Sequence, residues 1–240
     1  MKTVDILGIP FVSTSFQQMA SLLSQKIEKK EKTFIVTANP EIVMYTQEDA
    51  EYEKYVQLAN YVVPDGNGIL LAGKILHTPL EERITGYDLT VELLTKGNQC
   101  GWKLYLLGGR EEVNQKAVAN IKKTYPNIEV VGHHNGFFDW KDDAIQTEIL
   151  HTKPDLVLVA LGMPKQEKWI AENIANFSQG IFIGVGGSID VLAGEVKRAP
   201  LFWQRLKIEW LYRLLKQPSR WRRMLALPRF VIKVFKHRFG

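Results

Sequence analysis

The chain is expected to fold as an α/β protein, a layered core on a largely parallel sheet with a basic amphipathic helical appendage at the C-terminus. Three observations predict this. Over residues 1–195, short β-rich runs alternate with longer helical patterns, the order that gives parallel strands with helices on their faces. Several runs are continuous Val/Ile/Leu, as in strands buried on both sides. The charge is also split: residues 196–240 hold 13 Lys and Arg against the single acid Glu209, which leaves 18 basic and 25 acidic residues in 1–195.

The first clear strand is expected at 33–37, Thr33-Phe34-Ile35-Val36-Thr37, and a helix over 40–60 follows it behind Asn39 and Pro40. The run Tyr61-Val62-Val63 gives a strand at 61–63, ended by Pro64, and the next helix covers 86–97. Strands at 103–107, 129–132, 155–160 and 181–185 then alternate with helices over 111–125, 140–151 and 165–176. Together these describe a Rossmann-like layered core over 1–195. There is no internal repeat and no low-complexity linker.

Beyond Gly194 the character changes. On a helix over 201–216, Trp203, Leu206, Trp210 and Leu214 share one face, and Arg205, Glu209 and Arg213 another. Pro218 stops that helix, Ser219 caps a short second one, and Pro228 breaks it in turn. From Arg229 onward, Phe230, Val231, Val234 and Phe235 alternate with Lys233, Lys236, His237 and Arg238. A segment of this kind is suited to an anionic surface, membrane phosphate or nucleic acid. The apolar residues fall on continuous helical faces, as interfacial helices require, and the acidic body repels nucleic acid. The expected partner is therefore an anionic membrane and no nucleic acid.

Composition bounds the rest. About 195 residues suffice for one domain with a substantial core, and 45% hydrophobic with 24% charged residues is ordinary for a soluble protein. The single cysteine, Cys100, excludes an intrachain disulfide and fits a reducing compartment. No apolar run reaches the roughly 18 residues that span a bilayer, and the start lacks the apolar core of a secretory signal. The expected location is cytoplasmic, peripheral on the inner face of the cell membrane.

Chemistry is sought at the strand ends, because open α/β sheets bind ligands outside their carboxyl edges. Five turns there are polar or glycine-rich: Ala38-Asn39-Pro40-Glu41, Pro64-Asp65-Gly66-Asn67-Gly68, Gly108-Gly109-Arg110, Gly162-Met163-Pro164-Lys165-Gln166 and Gly186-Gly187-Ser188-Ile189-Asp190. Several common chemistries are missing. There is no G-x-G-x-x-G after a strand, no Walker A loop, no G-x-S-x-G elbow and no zinc-ligand spacing. His133-His134 reads as a polar strand end. No D-x-D holds a divalent metal, and Asp142-Asp143 falls within an expected surface helix. Asp65 either initiates a Pro-Asp-Gly turn or aims a carboxylate into the cleft as a general base. Arg83 either neutralises a diphosphate or pairs with the neighbouring Glu81 or Glu82. Thr37 and Asn39 either bind sugar hydroxyls or, for Asn39, simply start a helix.

In order, Thr37-Ala38-Asn39-Pro40-Glu41, Pro64-Asp65-Gly66-Asn67-Gly68, Arg83-Ile84-Thr85-Gly86, Leu107-Gly108-Gly109, Leu161-Gly162-Met163-Pro164-Lys165-Gln166-Glu167 and Gly184-Val185-Gly186-Gly187-Ser188-Ile189-Asp190 resemble the motifs of the WecG/TagA/CpsF family of bacterial glycosyltransferases. The basic tail is similar to that family's appendage, and the likeness is strongest to the branch that makes the wall teichoic acid linkage unit. The resemblance implies an inverting transferase without cofactor or metal. It would move N-acetylmannosamine from UDP-N-acetylmannosamine to lipid-linked GlcNAc-diphospho-undecaprenol. Relatives use other UDP sugars, N-acetylmannosaminuronic acid or glucose, and nothing in the sequence reads the sugar directly. The resemblance also implies Asp65 as base and Arg83 on the diphosphate. Thr37, Asn39 and Gln166 would lie on the sugars, Gly108, Gly109 and Gly186 in the binding turns, and Asp190 in the nucleotide pocket. Arg213, Arg220 and Arg223 would fold over the site from the tail, and a homo-oligomer would dissociate at the membrane.

Overall fold

The computed structural model describes residues 1–200, 202–203, 209–216 and 225–239. Eight strands form one sheet in the order β1-β2-β4-β3-β8-β7-β5-β6. The edge pair β1 (Thr3–Ile6) and β2 (Ile9–Val12) is an antiparallel hairpin, turning through Leu7 and Gly8, both at positive φ. All other pairings are parallel: β3 (Lys32–Ala38), β4 (Tyr61–Pro64), β5 (Lys103–Gly108), β6 (Glu129–His134), β7 (Leu156–Ala160) and β8 (Gly180–Gly184). The expected largely parallel sheet is present, and His133-His134 does end a strand.

Alternation along each strand divides the core into two apolar layers. Phe34, Val36, Val157 and Val159 face one side, packing on α2 (Pro40–Thr46), α3 (Ala50–Gln57), α4 (Asn67–Ile75), α7 (Ala144–Thr152) and α8 (Lys165–Asn173). Ile35, Leu156, Leu158 and Ile183 face the other, covered by α1 (Phe16–Glu28), α5 (Gly86–Cys100), α6 (Glu111–Thr124) and α9 (Ser188–Leu192). Burying both faces explains the unbroken apolar runs. Cys100 is exposed at the far end of α5.

Several boundaries differ from expectation for identifiable reasons. The helix expected over 40–60 is two, because the Asp49 carboxylate accepts from the N–H groups of Glu51 and Tyr52 and caps a fresh start. The helix expected from 140 begins at Ala144, since Asp139 and Asp142 accept from Lys141 and Ala144 and hold local turns. Asp142-Asp143 therefore precede the helix instead of lying in it. Asp155 stops short of β7, with its carboxylate taken by Lys30 at 2.8 Å and the Lys103 N–H at 2.9 Å.

Within the tail, Glu209–Lys216 is helical, whereas 201, 204–208, 217–224 and 240 lie outside the described residues. So do Arg205, Leu206, Pro218, Ser219, Arg220, Trp221 and Arg223, together with the side chains of Trp210 and Arg213. Pro228 breaks nothing. It is the third residue of a continuous helix, Ala226–Phe239, where a backbone N–H has no intrahelical acceptor to lose. That last helix packs on α2 and α4 and sinks Phe230 and Val234 completely into the first core layer. Among the described residues no helix is long and apolar enough to cross a membrane.

Truncating a fully buried Phe costs about 3–5 kcal/mol. Phe230→Ala is expected to lower the unfolding free energy by that amount, seen as a reduced urea midpoint with unchanged slope. An unshifted midpoint would mean the last helix adds nothing to the core.

Candidate active site at the carboxyl ends of the strands

Between β4 and β5 the chain passes over β3, β8 and β7, and the polar residues lie in turns at the carboxyl ends of the strands. Parallel pairing of β3 with β4 sets Thr37 opposite Val63 and Ala38 opposite Pro64. The Asp65 N–H then donates to the Ala38 carbonyl at 2.9 Å, and the Ile84 N–H donates to the Pro64 carbonyl at 2.9 Å. These two bonds bring Asp65 and the Arg83–Gly86 stretch together although about twenty positions separate them. The Asp65 Oδ2 accepts from the Gly86 N–H at 3.3 Å, at the first turn of α5.

Gly86 is required by space. A Cβ there would sit 2.9 Å from Thr37 Oγ1, so the first turn of α5 can press against the end of β3 only through glycine. The Thr37 hydroxyl in turn donates to the Gly184 carbonyl at 3.4 Å, at the end of β8. Gly184 is flanked by the Gln166 amide, whose Nε2 would lie 2.6 Å from a Cβ at 184. The same side chain accepts from the Gly186 N–H through Oε1 at 3.1 Å. Thr37, Asp65, Gly86, Gln166 and Gly186 therefore form one connected group.

Asn39 is placed beside them, but its Oδ1 accepts from the Ile42 N–H at 3.0 Å and caps α2, so the helix-start reading of this residue is correct for that oxygen. Arg83 is half-buried, and Glu82 is not its partner: the Glu82 carboxylate accepts from the Phe16 N–H at 2.7 Å. Arg83 lies instead within electrostatic reach of Asp88.

Gly108, Gly109 and Asp190 form a second group further along the same edge. The Gly109 N–H donates to the Ala160 carbonyl at 3.0 Å, and Ile189 of α9 packs directly on Gly109. Asp190 is half-buried on α9 beside it. Asn114, buried on α6, fixes this turn by donating to the carbonyls of Gly108 at 2.8 Å and His134 at 2.9 Å. Arg213, Arg220 and Arg223 have no described side-chain position. Among the described residues, no three or more His, Cys, Asp or Glu side chains are grouped to hold a metal ion.

Thr85, Asp88, Arg198 and Glu167 flank these residues. Thr85 caps α5, and its hydroxyl donates to Asp88 Oδ2 at 2.6 Å while accepting from the Asp88 N–H at 3.1 Å. That T-x-x-D spacing is a legible capping signal. Arg198 grips both Asp88 oxygens, Nη1 to Oδ1 at 2.6 Å and Nη2 to Oδ2 at 2.9 Å, with its guanidinium over the Tyr87 ring. No local pattern announces Arg198. Burial alone would push the Asp88 carboxyl up, but the hydrogen bonds from Arg198 and Thr85 outweigh it and hold the group below its usual range. Behind Gln166, the Glu167 carboxyl is buried, and burial pushes it well above the carboxylate range.

Residues 4–240 match the Glycosyl transferase WecG/TagA/CpsF family. The chain belongs to this family. Among its relatives is the N-acetylglucosaminyldiphosphoundecaprenol N-acetyl-beta-D-mannosaminyltransferase of Bacillus spizizenii, 38% identical over 239 residues, covering 99% of this chain and 92% of the relative. Enzymes of the same name from Bacillus subtilis (36%, 98% and 92% covered) and Staphylococcus aureus strain MRSA252 (39%, 97% and 92% covered) align equally fully.

A carboxyl group with a depressed folded-state value stabilises fully above its unfolded value and loses that contribution as pH falls through the folded one. Asp88→Asn should therefore be less stable than wild type at pH 7, and the gap should close as pH falls below about 4. Urea unfolding at pH 7 and pH 3 measures this; an equal gap at both would show that the Asp88 charge is not what holds Arg198.

Proposed function

We propose that the protein is an inverting glycosyltransferase that moves N-acetylmannosamine from UDP-N-acetylmannosamine to the 4-hydroxyl of GlcNAc-diphospho-undecaprenol, the linkage unit of wall teichoic acid. The full-length match to enzymes named for that transfer supports the substrates. The observation that carries the chemistry is the Asp65 carboxylate, held at the point where β3, β4 and the first turn of α5 meet.

Inversion needs a single base on the face opposite the leaving group. Asp65 takes the proton of the acceptor 4-hydroxyl as its oxygen bonds to the anomeric carbon. The bond from that carbon to the diphosphate oxygen breaks, and its electron pair leaves with UDP. Arg83 neutralises the charge that develops on the diphosphate. Thr37, Asn39 and Gln166 contact the sugars, the Gly108-Gly109 and Gly186 turns offer backbone N–H groups, and Asp190 borders the nucleotide. No step draws on a metal.

We further infer that residues 196–240 form a functional appendage on the 1–195 core. Its anchors bracket the Asp65 turn: Arg198 holds Asp88 on α5, and Leu227 rests on Gly68 at the start of α4, 2.8 Å from where a Cβ would be. The chain between those anchors carries Arg213, Arg220 and Arg223, which supports their joining Arg83 on the diphosphate. Ile232, Phe235 and Phe239 are exposed on the last helix among Arg229, Lys233 and Lys236, the composition of a helix lying on an anionic leaflet. Such docking would bring the site to its lipid acceptor.

Asp65→Ala is expected to lower acceptor-dependent UDP release by about 10²–10⁴-fold, with wild-type release surviving EDTA. A mutant within a few-fold of wild type would remove Asp65 as base, and wild type silent with this donor would point to another UDP sugar. Separately, the protein should co-sediment with phosphatidylglycerol vesicles but not with phosphatidylcholine. Phe235→Ser combined with Phe239→Ser should weaken that binding about tenfold or more. Retardation of RNA in gels without vesicle binding would overturn the membrane reading.

A further inference from the structure

Directly behind the cleft sits a carboxyl group that the transfer does not use. Glu167 on α8 is 2% exposed and Tyr52 on α3 is 1% exposed. Glu167 Oε2 and the Tyr52 hydroxyl are buried beside one another as hydrogen-bonding neighbours without closing a well-formed bond, and Glu41 on α2 lies within electrostatic reach of both. The other oxygen is fully engaged: Glu167 Oε1 accepts from Gln166 Nε2 at 2.7 Å. Gln166 passes the constraint on, its Oε1 accepting from the Gly186 N–H at 3.1 Å.

The two ends of a glutamine amide have nearly the same shape, and only their neighbours decide which way they point. Here the Gly186 N–H demands an oxygen and Glu167 Oε1 demands an N–H. Burial favours the neutral acid at 167, which leaves Oε1 as a carbonyl acceptor. With the amide locked, Nε2 retains one hydrogen that is not spent on Glu167. Were the amide reversed, the Gly186 N–H would face an NH₂ group, and the turn at the end of β8 would lose its tie to α8.

We propose that Glu167 is a positioning residue: its carboxyl oxygen sets the orientation of the Gln166 amide, which pins the Gly186 turn and keeps the remaining Nε2 hydrogen as a donor to the nucleotide sugar. The substrate half of this statement rests on the function proposed above; the relay from Glu167 to Gly186 does not.

Two variants separate acceptor from bulk. E167Q keeps a neutral carbonyl acceptor, whereas E167M fills the volume with an adaptable apolar chain and removes it. Amide hydrogen exchange at Gly186 should accelerate about 5- to 100-fold in E167M and stay within about threefold of wild type in E167Q. The KM for UDP-N-acetylmannosamine should rise by a similar factor in E167M with kcat changed less, whereas a merely structural defect would reduce kcat through lost active protein. In a Q166A background, E167M should add less than about twofold to KM. E167M with wild-type exchange and KM, E167Q as damaging as E167M, or a full-sized effect of E167M without Gln166 would each overturn the proposal. Should E167M fail to fold, E167Q still decides through its exchange rate at Gly186. If wild type releases no UDP while exchange follows the expected pattern, the transferase reading fails and the relay stands.

Discussion

The site depends on one close approach. Because residue 86 has no Cβ, the first turn of α5 rests on Thr37 and points its N–H at Asp65. A side chain there would have to displace either the Thr37 side chain or the first turn of α5 that points at Asp65. The glycine costs helix propensity, about 1 kcal/mol relative to alanine in an interior. The first turn, capped by Thr85, is where that loss matters least.

Buried polar side chains extend this logic across the sheet, each tying backbone groups from separate elements. Asn114 joins α6 to the ends of β5 and β6, Gln166 joins α8 to the end of β8, and Asp155 joins the start of β5 to Lys30 after α1. Each is a polar group taken from water and repaid by specific bonds, and a buried group so satisfied admits few alternative arrangements. The strand ends thus form a fixed rim, and the variable chemistry is left to the side chains that project from it.

The parallel strands were legible because burial on both faces leaves an unmistakable mark, the continuous apolar run. The hairpin β1–β2 was not, since each strand has four residues and the pair has only Val4, Ile6, Ile9, Phe11 and Val12 to show for it. α1 carries a readable start signal, the Ser15–Gln18 capping box. α4 hid behind Gly68 and Gly73, which lower helix propensity and are present because Pro40, Leu227 and the Thr78 backbone come too close for a side chain. At the candidate site, turn residues single out Asp65 and its neighbours as candidates, but nothing local could show that Arg198 returns across 110 positions to Asp88. Such pairings belong to the tertiary structure alone.

The strand order also governs when the molecule can come into being. β3 lies at the centre of the sheet, yet one of its neighbours is β8, with Thr33 against Ile181, 148 positions later. The last helix, still further along, packs on α2 immediately after β3. At a synthesis rate of roughly 5–20 residues per second, the central strand waits about 7–30 s on the ribosome with one edge unsatisfied. Pairings of such long range are slow to close and leave sticky backbone exposed meanwhile. The nascent chain is thus a natural client for chaperones, and the centre of the sheet closes only after β8 has been made.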